Sequence, residues 1–186
     1  MLTPAPSASA QRIRLRPERP WQEHLDLYRQ LFGDPAVLAA LSPGSRPGPL
    51  TDRRAAELLE ADIRHWHRES FGPWLFFEAS SGLFVGRGGL CRCTVLGSQR
   101  VEVLYAVRPE LWGNGYATEM AAVSLARAPA LGLEEVVGFT AVSNGASRRV
   151  LEKAGLRFER TFERAGLPHW LGGTRIRPRP GPGPRR

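Results

Sequence analysis

Only two cysteines occur in the chain, Cys91 and Cys93, and only one lysine, Lys153. Two positions apart in a β-pattern, the cysteines share one face, which does not favour a mutual disulfide, and no further pair completes a zinc site. No metal is expected, and a reduced, cytoplasmic setting is. The lone lysine stands in no Gly-Lys-Ser/Thr sequence, which excludes a Walker phosphate loop. No apolar run is long enough to span a bilayer, and the opening MLTPAPSASAQRIRLRP has no signal-peptide hydrophobic region, so membrane and export are not expected. His65 and His67 point to different sides of any helix, which favours a solvated or hydrogen-bonded pair over a metal site. The formal charge of +8 suggests nucleic acid, but Arg175, Arg177, Arg179, Arg185 and Arg186 crowd the final segment without an acidic neighbour; the remainder carries +3. Basicity is a property of the tail, and a nucleic-acid groove is not required.

At 186 residues with 42% apolar content, the chain suits one folded domain. Residues 1–10 are small and polar and are expected to be disordered, a folded domain covers 11–170, and 171–186 reads as a disordered Arg/Pro/Gly tail. Alternation predicts a strand over Arg12–Pro17, and helical spacing of Leu25, Tyr28, Leu31 and Phe32 predicts a helix over Trp21–Phe32, closed by Gly33. LSPGSRPGPL at Leu41–Leu50 is a loop that can shape an acceptor pocket. Thr51 can cap a helix to about Ser70. Pro73–Glu78 and Leu83–Val95 read as a hairpin, followed by strands at Val101–Val107, Glu135–Thr140 and Arg157–Phe162, with helices at Ala117–Leu131 and Ser143–Ala154. Trp66 and Trp74 suit core packing at least as well as a pocket wall. AGLPHWLGGTRIRPRPGPGPRR offers only Trp170, Leu171 and Ile176 among glycines and prolines, so a complete terminal strand is not expected.

The most informative stretch is VEVLYAVRPELWGNGYATEM, a strand, a glycine loop and a helix start. The first N–H groups of a helix lack intrahelical partners and point together toward the preceding loop, a natural anion site. Gly113 and Gly115 would let a pyrophosphate approach the main chain. The loop lacks the third glycine of a dinucleotide fingerprint, which leaves an unusual phosphate loop.

That stretch, followed by VSNGASRRVLEKAGLRFERTF, resembles the GNAT acyl-CoA N-acyltransferases, and within them the ribosomal-protein-alanine N-acetyltransferase (RimJ/RimL) type. The coenzyme A loop of that family falls on Trp112, Gly113, Asn114, Gly115, Tyr116 and Ala117, with Trp112 departing from the usual Gln/Arg. The resemblance implies an α/β fold with a mixed, mostly antiparallel sheet, helices on its faces and a splayed central parallel pair. It also implies acetyl-CoA as cosubstrate, its pantetheine pairing with the strand edge at Ala106 and Val107 and its pyrophosphate meeting the loop through Thr118. Val107 would offer an oxyanion N–H, Asn144 would contact pantetheine, and Ser147 would protonate the departing sulfur. Glu102, the one carboxylate in the cofactor strand, is the candidate base, against ordinary pairing with an arginine. For Asn144 and Ser147 the competing role is helix capping. The expected reaction is acetyl transfer to a primary amine, a protein N-terminus or a small molecule, by direct attack in a ternary complex. The weak terminus also admits a non-catalytic acyl-CoA-binding or regulatory relative, or a homodimer in which a second copy supplies the missing edge strand.

Overall fold

The computed structural model describes residues 14–41 and 52–177. Strand β1 (Leu15–Glu18) leads through a single 3-10 turn at Gln22–His24 into helices α1 (Leu25–Phe32), α2 (Pro35–Leu41) and α3 (Asp52–Glu69). Strands β2 (Pro73–Glu78), β3 (Phe84–Val95) and β4 (Ser98–Val107) follow, then helix α4 (Tyr116–Leu125), strand β5 (Glu135–Ala141) and helix α5 (Gly145–Lys153). Strands β6 (Arg157–Arg164) and β7 (Leu167–Arg175) close the described chain. Among the described residues seven strands join one sheet in the order β1-β2-β3-β4-β5-β7-β6, parallel only where β4 meets β5.

Alternation along the strands sorts the core into two layers. Leu75, Phe84 and Ala106 bury against Tyr28, Leu31, Val37 and Leu59 from α1, α2 and α3. Trp74, Phe76, Val85 and Val107 point the other way, onto Tyr116 and Met120 of α4, and Val101, Val103 and Val136 continue that layer to Leu151 of α5. Trp66 and Trp74 pack 5.5 Å apart, and the Trp66 indole N–H donates to the Pro73 carbonyl at 2.7 Å. His65 is a strut: Nδ1 meets the Phe71 carbonyl at 2.8 Å, and Nε2 accepts the Arg92 N–H at 3.0 Å. That N–H lies beyond Gly89, the last β3 residue paired with β2, so the histidine satisfies a donor the ladder leaves open.

Three expectations need correction. The helix predicted over Ala117–Leu131 ends at Leu125, and Ala128–Leu131 forms a 3-10 turn carrying Pro129. Proline lacks the N–H that a continuing helix needs and clashes with the carbonyl one turn back. Helix α2 occupies a segment for which the sequence suggested no separate element. Most consequentially, the terminal strand is complete and runs to Arg175, five residues into the segment read as tail. β7 lies between β5 and β6 and is paired along both edges, so partners on both sides supply what its composition lacks. The Trp170 ring lies over Gly172, where a Cβ would come within 2.2 Å of it, and so covers the gap left by the missing side chain. The edge that a second copy was expected to complete is occupied by the chain's own strand. Residues 42–51, which hold most of the acceptor loop and the proposed Thr51 cap, lie outside the described residues.

Candidate active site

β4 and β5 share a single register position, Glu102 opposite Val137, and beyond it the two strands part. A cavity of about 580 Å³ opens at this divergence. The polarity of its wall follows from the β3–β4 ladder. Arg108 donates its N–H to Val85 at 3.0 Å, so by strand alternation Ala106 and Leu104 also turn their polar backbone groups toward β3. Val107 and Tyr105 turn theirs toward the cleft. Of the pair Ala106 and Val107, therefore, both border the cavity but Val107 supplies the free N–H, and Tyr105 adds a second donor.

At the cavity mouth the chain turns through Gly113 and Gly115, both at φ +80°, a left-handed conformation in which a Cβ is strained. The first helical hydrogen bond of α4 runs from the Glu119 N–H to the Gly115 carbonyl. The N–H groups of Tyr116, Ala117 and Thr118 consequently have no intrahelical partner, and no side chain of the described residues caps them. The Trp112 indole N–H donates to the Val107 carbonyl at 2.7 Å, fastening the loop to the end of β4 and leaving the Val107 N–H as the group facing the cleft. Asn114 does not border the cavity: its side-chain amide donates to the Leu111 and Trp112 carbonyls at 3.1 and 3.2 Å, so it shapes the loop from within. Arg14 braces the loop from behind, donating to the Asn114 carbonyl at 3.1 Å while stacking 4.5 Å above the Tyr116 ring.

Two chemical groups flank β4 on opposite faces. Among the described residues Glu102 is the only carboxylate bordering the cavity, and it makes no hydrogen bond or ion pair there. Burial pushes its pKa up to about 7, against the opposing pull of Arg164 and Arg87. A carboxylate half ionised at neutral pH is suited to accept a proton from an ammonium. On the other face, the Tyr105 hydroxyl lies 2.9 Å from the Ser147 carbonyl and 3.0 Å from Ser147 Oγ. Burial drives the Tyr105 pKa well above its ordinary value, so the phenol keeps its proton. Asn144 caps α5 by accepting the Ser147 N–H at 3.0 Å, and its amide donates to Ala40 at 2.9 Å, tying α5 to α2. Its side chain thus caps α5 while the residue also borders the cavity, and the Ser147 hydroxyl faces Tyr105.

Sequence reasoning passed over Tyr105, although the same alternation that put Val107 on the α4 face puts it there. It also passed over Arg149, Lys153, Phe139, Arg164 and His169, all of which border the cavity. Those last three come from strands β5, β6 and β7, and only the sheet order brings them beside Glu102.

A sheet splayed at its one parallel pair, with a left-handed glycine loop opening a helix at the mouth of the splay, is the fold of an acyl-CoA N-acyltransferase. The chain belongs to the GNAT acetyltransferases: residues 12–157 match the acetyltransferase (GNAT) domain. It is 31% identical over 153 residues to the FsC-acetyl coenzyme A-N(2)-transacetylase of Aspergillus fumigatus, a match covering 75% of this chain and 61% of that protein's length. Among solved structures, a GnaT-family protein from Bordetella pertussis superposes with a TM-score of 0.72 at 24% identity, covering 88% of this chain and 96% of that one. A ribosomal L7/L12 α-N-protein acetyltransferase in complex with coenzyme A gives 0.73 at 14% identity, covering 92% and 97%. At these identities the structural likeness concerns the fold.

Proposed function

We propose that the protein transfers the acetyl group of acetyl-CoA to a primary amine, a protein N-terminal α-amine or the amine of a small molecule, by direct attack in a ternary complex. The observation that carries this reading is the splay of β4 from β5, which leaves the N–H groups of Tyr105 and Val107 facing a cavity between an uncapped helix start and the Tyr105–Ser147 pair. The residues fit the cosubstrate. Gly113 and Gly115 leave the loop open, the N–H groups of Tyr116, Ala117 and Thr118 are free for a pyrophosphate, and Arg149 and Lys153, neither held in an ion pair among the described residues, border the cavity nearby.

Acetyl-CoA supplies a thioester, whose thiolate is a good leaving group because a thiol has a pKa of about 8.5. Glu102 takes the proton of the attacking ammonium, directly or through a water, and the amine nitrogen bonds the acetyl carbon as the carbon–sulfur bond breaks. The Val107 and Tyr105 N–H groups stabilise the negative charge that develops on the carbonyl oxygen. The second proton, shed by the nitrogen as the amide forms, passes to the departing sulfur by way of the Tyr105 hydroxyl, with Ser147 behind it. An α-amine, with a pKa of about 8, needs far less help than a lysine at about 10.4. Two free thiols, Cys91 and Cys93, suit a cytoplasmic reaction. The likeness to the RimJ/RimL type rests on the two motif blocks, and the acceptor need not be ribosomal.

Titration calorimetry with acetyl-CoA, followed by thiol release over a panel of amines, tests this reading. We expect binding, and thiol release that depends on an amine; absence of acetyl-CoA binding would overturn it. Binding without transfer to any amine would point instead to a non-catalytic relative, a reading that the complete β7 deprives of its original ground.

A further inference from the structure

On the Glu102 face of the sheet, β5, β6 and β7 together build a wall that the transfer chemistry does not use. Glu102 and Val137 are register partners and share that face, so Phe139, two residues on, points the same way. Phe139 packs edge-on to Phe162 with ring centres 5.8 Å apart, and His169 completes a triangle at 5.7 and 6.4 Å. Arg164 lies at the tip of the β6–β7 hairpin, before a tight turn with Ala165 at φ +50° and Gly166 at φ +74°, and its guanidinium is stacked 4.7 Å above Phe139. Stacking engages the flat face of a guanidinium and leaves its edge donors free. All eighteen acidic residues of the chain lie within the described residues, and none of them forms an ion pair with Arg164. An exposed arginine with open donors therefore borders the same cavity as Glu102, on the same face.

The charges at this end select the acceptor. Among the described residues Glu102 is the only carboxylate bordering the cavity, and Arg164 is the cation that borders it on the same face. A polyamine would bring a second ammonium toward Arg164 with no carboxylate left to meet it. An acceptor carrying a carboxylate close to its amine fits both ends. Building on the acetyltransferase reading above, we propose that Arg164 binds the carboxylate of a free amino acid, or a similar small amino carboxylate, and so presents its amine to Glu102. The aromatic triangle then faces the acceptor's side chain. Arg149 and Lys153 lie with α5 on the opposite face, the side of the Tyr105–Ser147 pair, and remain for the cosubstrate's phosphates.

The test compares alanine, leucine, phenylalanine and glutamate, each with its α-amide and its decarboxylated amine, at saturating acetyl-CoA. For at least one set the free amino acid is expected to have a kcat/KM higher by about tenfold or more, the size of one charge-assisted contact. R164Q should collapse that ratio by raising KM more than it lowers kcat, R164K should restore part of it, and the acetyl-CoA dissociation constant should stay at the wild-type value in both. Equal or better use of the amides or amines, use of none of the amino acids, or a ratio that survives R164Q overturns the assignment while leaving the transferase reading intact. Failure of acetyl-CoA to bind the wild-type protein removes the transferase reading, and the role of Arg164 with it.

Discussion

Glu102 is a carboxylate held in a half-buried position without a cation at ion-pair distance among the described residues, a condition that costs stability and suits a base. E102Q should lower kcat/KM by roughly 100-fold, the usual worth of a positioned base, while leaving acetyl-CoA affinity within about twofold. In the wild type kcat/KM should rise with pH through about 7 as Glu102 ionises, and this limb should vanish in E102Q. The same shift bears on stability. With its pKa raised from 4.5 to about 7, the native carboxyl holds its proton more tightly than the unfolded chain does, so stability is greatest below 4.5 and declines until the native group has ionised. E102Q removes that decline. Its advantage in melting should grow between about pH 5 and pH 7.5 and then level off, at about 2 kcal/mol once partial exposure to water is allowed for. Parallel pH dependences of melting in the two proteins would contradict the buried, unpaired state.

The glycine loop and α4 act as one unit, locked to the first strand. Glu119, in the first turn of α4, accepts the Leu15 N–H at 2.9 Å and also the Arg14 N–H, and its second oxygen meets Arg14 Nε at 3.0 Å. The carboxylate thereby satisfies the start of edge strand β1 while complementing the positive end of the helix dipole. G115A separates backbone strain from packing, because a Cβ there would meet nothing closer than Arg14 Nη2 at 3.9 Å. The left-handed φ alone should cost about 1–2 kcal/mol of stability in chemical denaturation. If the loop cradles a pyrophosphate, acetyl-CoA affinity should also fall by roughly tenfold. An unchanged affinity would show that the phosphates bind elsewhere.

The sheet and the helical layer over its Glu102 face are joined at a buried ion pair. Arg87 of β3 grips Asp62 of α3 through two hydrogen bonds, and the Tyr28 hydroxyl of α1 donates to the same carboxylate. These three elements position the helical layer over the Glu102 face. D62A leaves the Arg87 charge buried and uncompensated and should cost about 3–5 kcal/mol in urea unfolding. Y28F, which removes one hydrogen bond and leaves the ion pair in place, should cost about 1–2 kcal/mol. A similar small loss for both would mean that water, and not Asp62, solvates the guanidinium.

Most strands and helices were legible in the sequence because their signals are local. β-branched and aromatic runs marked β2, β3 and β4, helical spacing marked α1 and α3, and two glycines before a helix marked the loop. Glu102 could be picked out because it is the only acid in its strand. The strand LPHWLGGTR was illegible because its order comes from β5 and β6 on either side and from Trp170 lying over Gly172, contacts made across the fold. The sequence by itself determined the fold class and the glycine loop that opens α4, since both rest on residues near one another in the chain. Tertiary structure alone decided which N–H groups face the cleft, that Tyr105 meets Ser147, and that Arg164 and Phe139 stand beside Glu102. Those depend on strand register and sheet order, which juxtapose residues dozens of positions apart.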